Sequence, residues 1–581
     1  MSETTSESGP AEATASESGP AEAYHTPKKQ RREEESATQP LETSEPSTPP
    51  IVEFKNIRCA IHGFIALEPL LCRIMDTSYF QRLRELKQLG TVYHVYPTAN
   101  HTRFDHSLGV AHLAQKLCER LSTQGEWPEG VEPPTPRDAL CVKLAALCHD
   151  IGHGPFSHTF DGHVVPEAAK RLEAQEDADP DLIRQLKRHK HELLSVEMLK
   201  HLLKERGINL SAYQASDGEY LCHEEDLQFV AELILGKKLE GGLASRRGRG
   251  TPLGGGVHSK DYLYDIVSNE ESGLDVDKLD YLCRDRKAAI GNDPDLVIAT
   301  LTNAASVRMA TFMVRGHRVR RPVIAYQDKV MFEAYKAFRL RFDLHTDVYA
   351  HRVCEGYSRL VTDTLVALDA LGPVVTVNGK AYQLGETVTS PRAFVEMRDN
   401  VLERYKVRYL EGGDLKEPPS TSKGKARELL RRYENREPYK SIFDEGITLM
   451  PHDVRFRSST TGNGDLANSN DEIVAALKRR LAPLDLPEGT LQLSVCKRCH
   501  GLGERNPLLQ MRFFSKCDPI HADAREYTEH ELRAKVALPL TFELRSIRVF
   551  YTARRTSSDE KAEYLRVKKA VSERLAATPI S

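Results

Sequence analysis

From Ile51 onward, apolar residues recur at intervals of three and four over long stretches, the spacing that lines one face of an α-helix. Runs that alternate apolar with polar are scarce before the last third of the chain. There Leu491-Gln492-Leu493-Ser494-Val495 and Ile547-Arg548-Val549-Phe550-Tyr551 read as strands. The pattern predicts a mainly α-helical core spanning residues 51–400 and a smaller mixed α/β C-terminal lobe over residues 401–575. Three segments break the periodicity. Residues 236–256 form a Gly/Arg-rich stretch expected to be a flexible insertion, and Glu411 to Lys425 and Ser458 to Asn470 read as linkers. Residues 1–50 repeat the octet SESGPAEA and are too poor in apolar side chains to build a core, so a disordered tail is expected.

Against this background a few polar residues stand in apolar surroundings. Ala139 to Cys148 is apolar on nearly every face and should be a buried helix; it runs into His149-Asp150 and is then broken by Gly152, Gly154 and Pro155. An ionisable pair is thus delivered to a buried helix end. An unpaired buried carboxylate is costly, whereas a divalent cation satisfies both groups. His106 shares a helical face with Val110, Leu113 and Leu117, and Asp277 shares one with Tyr281 and Asp285, so both are candidates to complete a ligand set. Taken singly, each also fits a blander role, a hydrogen-bonded core histidine or a surface or capping acid.

Composition narrows the function classes. With 40% hydrophobic and 28% charged residues over 581 positions, and no apolar run of about 18 residues, the chain reads as globular with no membrane span. A net charge of −3 argues against nucleic-acid binding by the whole molecule, leaving only local patches such as Arg246-Arg247-Gly248-Arg249 as contacts for single-stranded nucleic acid. No secretory leader is evident, and the cluster Pro27-Lys28-Lys29-Gln30-Arg31-Arg32 reads as a nuclear-localisation signal; the nucleus is the expected compartment, with the cytoplasm as the alternative. Eleven scattered cysteines fit reduced thiols. Cys496-Lys497-Arg498-Cys499-His500 has the spacing of covalent haem attachment, yet without a second cysteine pair or an export signal it reads as a strand and turn with free thiols.

The dispersed H…HD…D pattern resembles that of the HD-domain phosphohydrolases. The resemblance is closest to the deoxynucleoside triphosphate triphosphohydrolases that join a SAM module to an HD domain. It is carried by Ile61-His62-Gly63, Asp76 to Arg84, Lys87-Gln88-Leu89-Gly90, Arg103 to Val110, the block His149 to His158 and Asp275-Val276-Asp277-Lys278. Residues 51–360 match well and the C-terminal lobe in patches, including Asn506-Pro507 and Phe513 to Lys516. Residues 1–50 contain nothing that could make a SAM module.

The resemblance implies the following roles. His106, His149, Asp150 and Asp277 hold a divalent metal, a set of nitrogens and oxygens that suits Zn, Fe or Mn, with Mg an option at the nucleotide phosphates. His153, His158 and His191 are the catalytic histidines, His158 foremost, with Glu192 steadying His191. Arg103, Lys278 and Arg341 grip the phosphates and Tyr281 adds a hydroxyl. Gln88 and Asp285 take the 3′-OH, Leu89 and Tyr349 crowd the 2′ carbon, and His345 lies beside them. The implied products are a deoxynucleoside and intact triphosphate.

Regulation is implied as well: GTP or dGTP at one allosteric site and a dNTP at a second, driving assembly of a homo-oligomer, expected to be a tetramer. Lys55, Asp76, Gln81 and Arg84 match the first site. Val95, Tyr96, Lys329, His351 and Arg352 are compatible with the second, and Lys516 falls in a further matching patch. Arg58 and Glu333 stand where the family has Asn, and Ile298 where it has Arg, so altered binding of the second activator is expected. An antiviral role belongs to the same resemblance. Two other readings compete: an HD-domain nucleotidase or phosphodiesterase acting on another nucleotide, and a non-catalytic nucleotide-regulated protein that binds nucleic acid. The phosphate-gripping and 2′-excluding residues argue against the first, the intact ligands against the second.

Overall fold

The computed structural model describes residues 54–239, 250–293, 296–314, 316–411, 418, 420–447 and 470–576. The tail 1–50, its basic cluster, Arg246 to Arg249 and nearly all of the 458–470 linker lie outside the described residues.

Helices dominate, as the periodicity predicts. The Arg103–Ser122 helix buries thirteen residues, among them His106, Val110, Leu113 and Leu117. It packs on the Pro136–Cys148 helix, buried over Leu140–Cys148 and started by a capping box in which the Thr135 hydroxyl accepts from Asp138 N while the Asp138 carboxylate accepts from Thr135 N. The Val276–Ile290 helix crosses the Arg103–Ser122 helix and ends on Gly291 at φ 87°, where a left-handed cap suits glycine. Lys143, inside the apolar Pro136–Cys148 helix, is satisfied by Ala66 O at 2.8 Å, Glu68 and Gln115.

The C-terminal lobe carries an antiparallel sheet in which Glu543–Tyr551 is flanked by Leu491–Cys499 and Lys440–Ile447. Both strands read from alternation are present, each extended beyond the run that announced it. The Asn470–Leu481 and Ser558–Ala576 helices cover the sheet, sharing a core of Leu477, Ile547, Val549, Val567 and Val571. In Leu491–Cys499 the two cysteines are free thiols, and His500 stacks on Phe342 at 4.7 Å.

Some expectations change. The core does not part at residue 400: Val401, Leu402, Tyr405, Leu508, Phe513 and Leu532 belong to the same buried cluster as the helical body. The long hairpin Ala305–Val314 and His317–Gln327 interrupts the helical region, paired over ten positions. Its arginines broke the alternation that would have announced it. The 236–256 stretch is not loose at its ends, since Gly236 caps a helix and Pro252–Gly254 pairs with Val257–His258. There Thr251 N donates to Glu132 at 2.9 Å and to Ser259 Oγ at 2.8 Å. The linker from Glu411 stops at Thr421, whose hydroxyl caps the Ser422–Glu434 helix.

Candidate active site

One cleft of about 160 Å³ gathers residues from stretches far apart in the chain. Gln88, Arg103, His106, His149, Asp150, His153, His158, His191, Asp277 and Tyr281 all line it, with Glu192, Asp275 and Ser268. Two helix starts face it, the first turns at Arg103 and at Val276, and both place partial positive charge where an anionic ligand would lie.

At the cleft floor the four predicted ligands converge. His106 Nε2 lies 2.9 Å from Asp277 Oδ1 and 3.7 Å from Asp150 Oδ2. His149 Nε2 lies 3.4 Å from Asp277 Oδ1 and 3.5 Å from Asp150 Oδ1. Donors bound about 2.1 Å from one cation stand roughly 3.4 Å apart in a tetrahedral set, so this spacing fits a shared ion. The imidazoles are turned for it. His149 Nδ1–H donates to Ala146 O at 2.8 Å and His106 Nδ1–H to Asp280 Oδ2 at 2.8 Å, which turns both Nε2 atoms toward the Asp150 and Asp277 carboxylates, where a cation could take the place of the proton. His149 Nε2 is buried with no hydrogen-bond partner among the described residues. Such an orphaned acceptor is what a cation would satisfy.

The electrostatics agree. Burial alone would lower the His106 imidazole, but Asp277 and Asp280 outweigh it and carry it up to about 10, the behaviour of a site where two carboxylates await a positive charge. Burial would raise the Asp150 carboxyl, yet Arg103, His149 and His106 hold it well below the usual range. Arg103 Nη1 donates to Asp150 Oδ2 at 2.5 Å.

Beside the ligands stands a second group. His153 and His191 stack with centroids 3.7 Å apart, and His158 meets them edge-on at 5.0 and 5.7 Å. Asp161 anchors them: its Oδ2 lies 2.8 Å from His153 Nδ1 and 3.6 Å from His191 Nδ1, while its Oδ1 takes His189 at 3.0 Å. His153 Nε2 reaches Asp150 Oδ1 at 3.4 Å, linking the two groups. His158 is open to the cleft water, yet the surrounding protein, through desolvation and then Arg103 and His191, lowers it to about 4. It is therefore neutral at pH 7.

The predicted sugar end assembles around Asp285, whose carboxylate accepts from Tyr349 OH at 2.5 Å and pairs with His101 Nε2 at 2.7 Å. Gln88 N donates to His101 O at 3.1 Å, Leu89 packs on the core, and His345 meets the Tyr349 ring edge-on at 4.9 Å. Of the phosphate-gripping candidates, Arg103 and Tyr281 line the cleft. Lys278 Nζ donates to Gly273 O, and Arg341 Nη1 to Cys499 O at 2.7 Å.

The regulatory candidates lie apart from the cleft lining. Lys55 pairs with Asp76, and Arg84 donates to Gln81 at 2.8 Å while covering the Phe104 ring at 3.5 Å. Tyr96 meets His351 edge-on at 6.0 Å next to Val95, whereas Lys329, Arg352 and Lys516 are exposed. Glu333 accepts from Val297 N at 2.7 Å, just before Ile298, and Arg58 lies over Phe64.

Sequence reading missed Asp161, His101, His62 and Asp280. Asp280 is the most informative omission, because it sits three residues after Asp277 and binds His106, His62 and Arg284 together. Its i+3 spacing puts it on the helix face of Asp277, but nothing in that spacing names its partners.

Residues 103–239 match the HD domain family, a span that holds three of the four predicted ligands, His106, His149 and Asp150, and all three additional histidines. The deoxynucleoside triphosphate triphosphohydrolase SAMHD1 of Xenopus laevis is 33% identical over 80% of this chain, and that of Homo sapiens 32% over 81%. The chain spans 66% of the length of each of these two. The Gallus gallus protein of the same name is 33% identical over 84% of this chain and 70% of its own length. Identity on that scale, over most of both chains, places this chain in the SAMHD1 family of HD-domain proteins.

Proposed function

We propose that the chain is a metal-dependent dNTP triphosphohydrolase that converts a deoxynucleoside triphosphate into a deoxynucleoside and inorganic triphosphate. The observation that carries this reading is the convergence of His106, His149, Asp150 and Asp277 beside three histidines and Arg103 in one cleft. A divalent ion at those ligands supplies Lewis acidity toward a phosphate oxygen and lowers the pKa of water. Arg103, held between Asp150 and Ser157, is fixed in place to meet the phosphate charge. His158, neutral in the free protein, gains affinity for a proton as the triphosphate's charge enters, and so can deliver that proton to the departing sugar oxygen. His153 and His191, stacked on each other and facing Asp161, line the cleft beside His158. Tyr349, bonded to Asp285, would crowd the 2′ carbon of the sugar and so disfavour a ribonucleotide.

Activation belongs to the same proposal. GTP or dGTP would bind at Lys55, Asp76, Gln81 and Arg84 and promote a tetramer. Binding of a dNTP at the second site would be altered by Glu333, which is already committed to Val297 N. The nucleus is the proposed compartment, and single-stranded nucleic acid a proposed further partner.

Incubating the purified protein with metal, GTP and dGTP, then resolving the products, tests the reading. Triphosphate with deoxyguanosine supports it. Pyrophosphate or monophosphate points to another HD-domain nucleotidase, and intact dGTP to a non-catalytic protein.

A further inference from the structure

The turn between His153 and His158 is strained. Phe156 and Ser157 adopt φ 59° and 56° in succession, a left-handed conformation that non-glycine residues hold only when the surroundings over-determine it. The histidines flanking the turn depend on whatever holds it.

The restraints come from elsewhere in the chain. Phe156 N donates to Asp399 Oδ1 at 2.6 Å, and Lys87 N donates to Asp399 Oδ2 at 2.9 Å. Ser157 Oγ donates to Lys87 O at 2.8 Å and accepts from Arg103 Nε at 2.9 Å. Gly90 lets the turn sit close, since a Cβ there would stand 2.8 Å from Phe156 O. Asp399 N in turn donates to Glu85 O at 3.3 Å, so the carboxylate is held in register with the 85–90 segment. Gln88 and Leu89, at the proposed sugar wall, directly follow Lys87.

We propose that Asp399 is a positioning residue that sets the cleft from outside it: one carboxylate clamps the histidine turn through Phe156 N and the sugar wall through Lys87 N. Asp399 does not line the cleft, and its two acceptor oxygens divide between the two walls. Loss of the clamp releases both together, which separates this role from that of a residue supporting either wall alone. The inference rests on the dNTP triphosphohydrolase reading for its activity readouts.

The test compares the full chain with Asp399→Asn and Asp399→Ala, loaded with metal and GTP, on dATP and ATP. Asp399→Ala is expected to lose at least tenfold in kcat on dATP with KM changed less than threefold, and to lose at least threefold in preference for dATP over ATP. Asp399→Asn, which retains one acceptor oxygen, should fall between. A second measurement needs no activity and covers failure of the Ala variant to fold: amide hydrogen exchange in wild type and Asp399→Asn. Peptides containing Lys87 and Phe156 should exchange faster in the variant while the Pro136–Cys148 helix is unchanged. Wild-type kcat and sugar preference in both variants, or a rise in exchange spread evenly over the chain, would overturn the clamp. If the wild type leaves dATP intact, the functional reading fails, and the exchange comparison alone decides whether Asp399 holds the turn.

Discussion

His106 donates its Nδ1–H to Asp280 Oδ2 at 2.8 Å, and that bond fixes which nitrogen faces the other ligands. Asp280 and Arg284 are buried, and Asp280 is held by Arg284 at 2.8 and 2.9 Å and by the half-buried His62 at 2.6 Å. Removing it frees the imidazole to rotate and change tautomer. Asp280→Ala should therefore lower metal affinity by roughly 10- to 100-fold. Metal content after dialysis against graded chelator measures this, and wild-type retention of metal would remove Asp280 from the site's support.

Gly109 makes room for that carboxylate. A Cβ there would stand 1.9 Å from Asp280 Oδ1 and 2.4 Å from Arg284 Nη2, too close for any relaxed packing. Gly109→Ala is expected to destabilise the fold by about 1–3 kcal/mol and to loosen metal binding with it. Urea unfolding reads the first effect; an unchanged midpoint would show that the network can shift aside.

Asp150 meets both Arg103 and the two ligand histidines. Asp150→Ala removes a ligand and leaves the Arg103 guanidinium buried without its carboxylate. Loss of metal, loss of at least about three orders of magnitude in kcat, and destabilisation of about 3–5 kcal/mol in the metal-free protein are expected. Circular dichroism and metal analysis on the same sample distinguish an unfolded chain from an empty, folded one.

Tyr349 donates its hydroxyl to Asp285 at the proposed sugar end. Tyr349→Ala opens space beside the sugar, so ATP turnover relative to dATP should rise at least about tenfold, equivalent to about 1.4 kcal/mol of discrimination. Competition between the two nucleotides checks it. Unchanged selectivity would move the 2′ filter elsewhere.

Stability should fall on acidification. Burial lowers His94 and His112 to about 4 and His345 to about 3, all below the ordinary histidine value. Between pH 6.5 and 4 the unfolded chain binds protons at these positions and the native chain does not. The stabilisation is thus complete above pH 6.5 and drains away as pH drops. Asp399 acts oppositely: burial raises it to about 6, so the native form binds a proton first and one contribution of reversed sign appears in the same window. His158, lowered to about 4, joins the three histidines, and burial raises Asp265, Asp363 and Asp369 on the side of Asp399; the histidine shifts, which span the window, set the expected direction, each proton worth about 1.4 kcal/mol per pH unit. Urea midpoints between pH 7 and 4.5 measure the slope; a flat or inverted profile contradicts it.

The sequence by itself determined the helical body and the two C-terminal strands, and through the family resemblance it named the candidate metal ligands. The local part is written within a few residues: His106 shares its face with Val110 and Leu113, and His149-Asp150 ends an apolar helix that glycines then break. Periodicity and helix breaking are local physics, legible without knowing what the helix packs against. Tertiary structure alone decided which groups support those ligands. Asp280 reaches His106 across 174 positions, Asp399 reaches Lys87 across 312, and Asp161 faces a histidine pair split between two segments. Nothing near an acidic residue in the chain tells which backbone N–H or imidazole it will meet, because that is set by how helices cross and where loops close. The Ala305–Val314 and His317–Gln327 hairpin was hidden for the same reason: its arginines are held by distant partners, Arg308 by Pro519 O and Arg321 by Asp265, so a polar pattern covers a buried strand.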